Sequence, residues 1–126
     1  MLQYISLSAG AGASGDTTKT KVGQILIPTN VKRIVGVQHN HIGGATLTSG
    51  ENVTGLLELE GPTFSKQQIP FAQAAILTSG ANAGDLIIRD KLDLPGNAGA
   101  TIDVYVTMDM AQTGAIKSQV ALVCEV

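Results

Sequence analysis

From Ile102 to Met110 the chain alternates apolar and polar residues without a break. Ile102, Val104, Val106, Met108 and Met110 fall on one side, and Asp103, Tyr105, Thr107 and Asp109 on the other. Successive side chains of a strand point to opposite faces, so this segment predicts a strand with one dry and one wet face. Leu86 to Leu94 repeats the pattern, with Leu86, Ile88, Leu92 and Leu94 inward and Arg89, Lys91 and Asp93 outward. Asp90 breaks it by falling on the apolar side. At the C-terminal end Val120, Leu122, Cys124 and Val126 alternate with Ala121, Val123 and Glu125.

Weaker strand patterns cover Leu2 to Ser8, Val22 to Ile27, Val31 to His39, Val53 to Glu60 and part of Gln68 to Leu77. Turn-forming residues separate them: Gly10 to Gly15, Pro28 to Asn30, Gly43-Gly44, Ser49-Gly50, Gly61-Pro62, Ser79-Gly80 and Pro95 to Gly99. Short strands at regular spacing, parted by such turns, predict an all-β, two-sheet antiparallel sandwich of jelly-roll or Greek-key type with about eight strands. The 126 residues fit one such domain, 1–126. Helix signals are thin. Ala72 to Leu77 and Ala111 to Lys117 read equally as a helical turn or as strand. The words Leu47-Thr-Ser-Gly50-Glu-Asn52 and Leu77-Thr-Ser-Gly80-Ala-Asn82 are read as one turn used twice, since a solenoid needs at least three units.

Composition excludes several functions. Apolar residues make up 44% of the chain, in the globular range, but charged residues only 14%. Eight basic and ten acidic side chains give a net charge of -2, and no basic run extends beyond Lys32-Arg33, so nucleic acid is not an expected partner. A surface poor in charge is weakly protected against association, which suits a chain that packs against copies of itself. The first residues lack the basic and long apolar regions of a signal peptide, and no apolar run is long enough for a membrane helix. No membrane contact is expected.

No catalytic, cofactor-binding or metal-binding residue is assigned from the sequence, and no cofactor is expected. His39 and His41 would share a face if the strand continued through them, a spacing that can place two imidazoles on one zinc. No other His supplies a third ligand, so they are read as an ordinary polar strand end. Cys124 lies among apolar residues and is read as core, where a thiol is inert. Asp103 and Asp109 read as solvated. Asp90, if inward, needs a partner or a shifted pKa, and a bulge or turn near it is the simpler reading. Gly10 to Asp16 lacks the Lys-Ser/Thr ending of a phosphate loop and reads as a flexible connection.

Two segments carry a resemblance: Gly23-Gln-Ile-Leu-Ile-Pro28-Thr-Asn-Val-Lys-Arg-Ile-Val-Gly-Val37 and Leu94-Pro-Gly-Asn-Ala-Gly-Ala-Thr-Ile-Asp-Val-Tyr-Val106. In both, turn residues break an apolar strand. With the low charge and the high Thr, Gly and Ala content, the chain from about residue 22 onward resembles small single-jelly-roll structural proteins of archaeal and bacterial viruses. The resemblance implies a structural or assembly protein of minor capsid, decoration or spike type, located in a virion. Its partner would be a second copy of the chain or another structural protein, with no small-molecule substrate. The chain lacks the basic N-terminal arm of capsid proteins that contact a genome. The alternative is a carbohydrate-binding sandwich, which needs exposed aromatics. The chain has no Trp and only Tyr4, Tyr105, Phe64 and Phe71. An enzyme is the least favoured class.

Overall fold

A computed structural model describes residues 1–6, 12–13, 17–43, 52–74, 87–96, 98–109 and 116–126. Within them lie nine strands and no helix: β1 (Leu2–Ser6), β2 (Gly12–Ala13), β3 (Thr20–Leu26), β4 (Arg33–Gly43), β5 (Asn52–Gly61), β6 (Phe64–Ala74), β7 (Ile88–Pro95), β8 (Thr101–Met108) and β9 (Ile116–Glu125). They form two antiparallel sheets. One runs β1-β9-β4-β7, with the short β2 also on β9. The other runs β3-β8-β5-β6. Of strands consecutive in sequence, only β5 and β6 pair with each other.

The predicted alternation of β8 is present. Ile102, Val104, Val106 and Met108 are buried, while Asp103, Tyr105 and Thr107 are half-buried on the opposite face. Facing strands contribute Val22, Ile25, Leu57, Leu59, Ile69, Val37, Leu94, Val120, Leu122 and Cys124 to one continuous core between the sheets. Burial of a Val, Leu or Ile side chain contributes roughly 1.5–3 kcal/mol, so this core is the principal source of stability. The turn after β7 carries Gly99 at φ 77, a left-handed conformation that glycine adopts without steric cost.

Several boundaries differ from the sequence expectation. β4 does not end at His39 but runs on to Gly43, pairing with β9 as far as Ile116. Ala72 to Ala74 continue β6 as strand, drawn in by pairing with Asn52 to Thr54. Ile116 and Lys117 likewise belong to β9. Gly12 and Ala13, expected within a flexible connection, pair with Lys117 and Ile116. The repeated words are outside the described residues except for Asn52, as are Leu86 and Met110.

The inner face of β4 contains one irregularity. Ile34 and Val37 are both buried, although they lie three residues apart. The pairing register of β4 shifts between Ile34 and Gly36 against both β7 and β9. An extra residue in a strand resets the side-chain phase. Beyond the shift, Val37, His39 and His41 point inward, where uninterrupted alternation from Ile34 would have turned both imidazoles outward.

Candidate functional site

At the far end of β4 the core turns polar. His39, His41 and Ser118 are 1%, 2% and 1% exposed. His41 lies across from Ser118 on β9, and His39 across from Ile88 on β7, two residue pairs along from Val37 and Asp90. Four side chains then join in line. Ser118 Oγ is 2.8 Å from His41 Nδ1, His41 Nε2 is 2.9 Å from His39 Nδ1, and His39 Nε2 is 2.8 Å from Asp90 Oδ2. The chain thus links β9, β4 and β7.

The bond order fixes the protons. A carboxylate accepts only, so His39 donates through Nε2–H and its Nδ1 lone pair accepts. His41 therefore donates through Nε2–H, and its own Nδ1 accepts the Ser118 hydroxyl proton. Both imidazoles are neutral Nε2–H tautomers, and each link has one proton. Burial lowers the pKa of both rings. For His39 desolvation outweighs the opposing pull of Asp90. His41 is pushed down to about 3, first by desolvation and then by the neighbouring His39.

A residue of the other sheet closes the site. The Phe71 ring stacks on His41, with centroids 3.6 Å apart and planes 11° from parallel. Gly55, paired with Phe71, makes the room: a Cβ there would lie 2.4 Å from Thr107 O and 3.0 Å from Phe71 Cζ.

The expectation that the two histidines form an ordinary strand end is therefore corrected, because the register shift brings them inside. The bulge expected near Asp90 lies just beyond it, where the β4–β7 register shifts between the Gly36–Lys91 and Ile34–Leu94 pairs. Ile88, Asp90, Leu92 and Leu94 all keep the inward phase, and Asp90 meets its demand for a partner through His39. Ser118 and Phe71 were not singled out in the sequence. Only the pairing of β4 with β9, and of the two sheets, reveals them. Cys124 is fully buried, and burial pushes its thiol pKa up, as its apolar neighbours predict.

Neither metal nor nucleophilic chemistry fits this arrangement well. Two nitrogens on one tetrahedral zinc sit about 3.3 Å apart with both lone pairs converging on the ion. The nitrogens here face each other at 2.9 Å, and no group of three potential ligands occurs among the described residues. The order Ser–His–His–Asp resembles a nucleophile–base–orienter series, yet the Ser118 hydroxyl is enclosed, where no substrate carbonyl can reach it.

A second polar cluster occupies the outer face of the β3-β8-β5-β6 sheet. Lys19 Nζ is 3.2 Å from both Glu58 Oε2 and Glu60 Oε1, and sits 4.4 Å from the centre of the Tyr105 ring. Lys66 reaches the same two carboxylates at 3.4 and 3.5 Å. Lys21 pairs with Asp103 at 3.2 Å, which Gln24 also contacts. The Glu60 hydrogen bond is the main reason that Lys19 lies above the usual lysine pKa, and it holds Glu60 below the usual carboxylate range. The other sheet's outer face contrasts with this. Its charges sit toward the β7 edge and the strand ends, where Arg89, Lys91, Asp93, Arg33 and Glu125 are exposed and Arg33 pairs with Asp93, while Gln38, Gln119, Ala121 and Val123 form an uncharged centre. At its β1 edge Leu2 and Tyr4 are 54% and 58% exposed, with Tyr4 beside Val123.

No protein-family model matches the chain, and no curated protein matches it in sequence. Solved structures match in shape. The structure of infectious bursal disease virus, Gx strain, superposes on 97% of this chain and 32% of that chain, with a TM-score of 0.51 and 9% identity. The crystal structure of the infectious bursal disease virus VP2 subviral particle covers the same shares, 97% and 32%, with a TM-score of 0.48 and 10% identity. The first match defines a class, the all-β sandwich domain. More particularly, the chain has the shape of about a third of a protein chain found in that virus.

Proposed function

We propose that this chain is a structural or assembly protein of a virion, acting through protein–protein contacts. The observation that carries the reading is the shape match to a virus protein over 97% of the chain. Strand order supports the jelly-roll form of the sandwich. The paths β1-β9-β4-β7 and β3-β8-β5-β6, with one hairpin kept inside a sheet, are what two interlocked Greek keys produce. The unlike outer faces support contact with a protein partner. The patch of Tyr4, Ala121 and Val123, away from the charges of β7, loses little on desolvation, whereas the Lys19–Glu58–Glu60–Lys66 region loses much. The partner is a second copy or another structural protein, and not nucleic acid, given the net charge of -2.

The carbohydrate reading is weaker because the aromatics do not form a platform. Phe71 is buried, Phe64 is half-buried and Tyr105 is covered by Lys19, which leaves Tyr4. Sedimentation at tens of micromolar tests the proposal. The wild-type chain is expected to form discrete oligomers, and Tyr4→Lys with Leu2→Glu to shift the population toward monomer. A wild-type chain that stays monomeric and binds duplex or single-stranded nucleic acid in a salt-sensitive way would refute it.

A further inference from the structure

Three hydrogen bonds fasten β9, β4 and β7 at one end of the sandwich, and each runs in a fixed direction. Ser118 donates to His41, His41 to His39, and His39 to Asp90. One added proton reverses part of this order. Placed on His41 Nδ1, it makes that atom a donor, and the Ser118 hydroxyl proton loses its acceptor inside the protein. Placed on His39 Nδ1, it forces His41 into the other tautomer, with the same result at Ser118. A second proton sets two N–H groups against each other across 2.9 Å.

The surroundings offer an imidazolium little. From β7 only Asp90 faces the pair as a charge, and its side chain is 39% exposed. From β9 come Ser118 and Val120, from β6 Phe71, and from β4 itself Val37. The carboxylates of β5, Glu58 and Glu60, lie on the far side of the other sheet with Lys19 and Lys66. No other charged side chain among the described residues faces either ring.

We propose that the Ser118–His41–His39–Asp90 chain is an acid-release latch. With both imidazoles neutral it ties three strands together and holds His41 against Phe71 of the other sheet. Proton uptake breaks it and loosens that end of the sandwich. This inference does not rest on the assembly reading. Its sign follows from the lowered pKa values. An opened histidine protonates near 6.5, whereas the enclosed His41 does so at about 3. The closed state is therefore fully favoured above pH 6.5 and loses ground steadily as pH falls toward 3. By pH 5 the opening equilibrium rises by about 30-fold for His41 alone.

Amide hydrogen exchange of Gln38 to Asn40, corrected for intrinsic rates, reads this opening at pH 7.5 and pH 5. The wild-type chain is expected to lose tenfold or more of its protection. The double variant His39→Leu/His41→Phe, which replaces both rings with apolar side chains that do not titrate, is expected to keep its protection. A smaller wild-type loss, or an equal loss in both proteins, overturns the proposal. Should the variant not fold, the wild-type imidazole titration followed by NMR decides. Protonation that coincides with loss of β4 protection supports the latch. Protonation near pH 6.5 with β4 still protected contradicts it.

Discussion

Two polar clusters of similar size among the described residues obey different rules. The Lys19–Glu58–Glu60–Lys66 cluster lies on an outer sheet face, where two lysines share two carboxylates at 3.2 to 3.5 Å. Glu58 Oε2 receives charge from both sides without a well-aligned hydrogen bond. Water and salt can replace the cluster's more exposed members, Lys19, Lys66 and Glu60, so the net contribution of any one of those three is small, although Glu58 beneath them is buried. The Ser118–His41–His39–Asp90 chain lies almost wholly inside, where a polar atom left unpaired costs about 1–3 kcal/mol. There the protons must be in register from end to end, and one change is felt along the whole chain. Placement therefore separates the two clusters more than chemistry does. The inner one is directed and responsive to protons, while the outer one is redundant.

The largest expected difference is in the response to truncation. His41→Ala removes a buried ring, its stack on Phe71 and the middle of the chain, leaving the Ser118 hydroxyl and His39 Nδ1 without those partners. Urea denaturation is expected to show a loss of about 3–4 kcal/mol. A loss below about 1 kcal/mol would place the imidazole outside the core.

Next is the response to acid. Between pH 7.5 and pH 5 Glu60 of the outer cluster stays charged, since Lys19 holds it below the ordinary carboxylate value of 4.5 and its contribution is lost only as pH falls further. The inner chain is already being undermined there, because the unfolded histidines take up protons that the folded ones refuse. The wild-type chain is expected to lose about 2 kcal/mol at pH 5 from His41 alone. Stability unchanged across that range would erase the contrast.

The smallest effect belongs to the outer cluster. Lys19→Met keeps an apolar stem near Tyr105 and leaves Lys66 beside both carboxylates. Thermal melts in low and high salt are expected to differ little between this variant and wild type, with any gap closing as salt rises. A large gap that persists in high salt would show that this cluster, too, depends on each member.

The sequence carries the fold more openly than it carries the inner chain. Period-two patterning placed Ile102, Val104, Val106 and Met108 inside, and Cys124 with them, because alternation is a local signal that depends on no partner. Local patterning also raised His39, His41 and Asp90 separately, as an i, i+2 pair and as an acid on an apolar face. It could not join them. His39 and Asp90 are 51 residues apart, and His41 and Ser118 are 77 apart. Their meeting depends on which strands become neighbours and on a register shift between Ile34 and Gly36. Nothing within β4 alone announces that shift. Asp90 on a dry face was the useful clue, since an inward carboxylate requires a donor on an adjacent strand, and a buried His is a suitable one.

The central claim is that both histidines sit inside the core as neutral Nε2–H tautomers, linked head to tail. Nitrogen-15 chemical shifts of the two imidazoles in the wild-type chain at pH 6 test it directly, because they distinguish protonated, lone-pair and charged nitrogens. The account predicts two neutral rings, each with a protonated Nε2 and a hydrogen-bonded, unprotonated Nδ1. Either ring charged at pH 6, or either one in the Nδ1–H form, would contradict it.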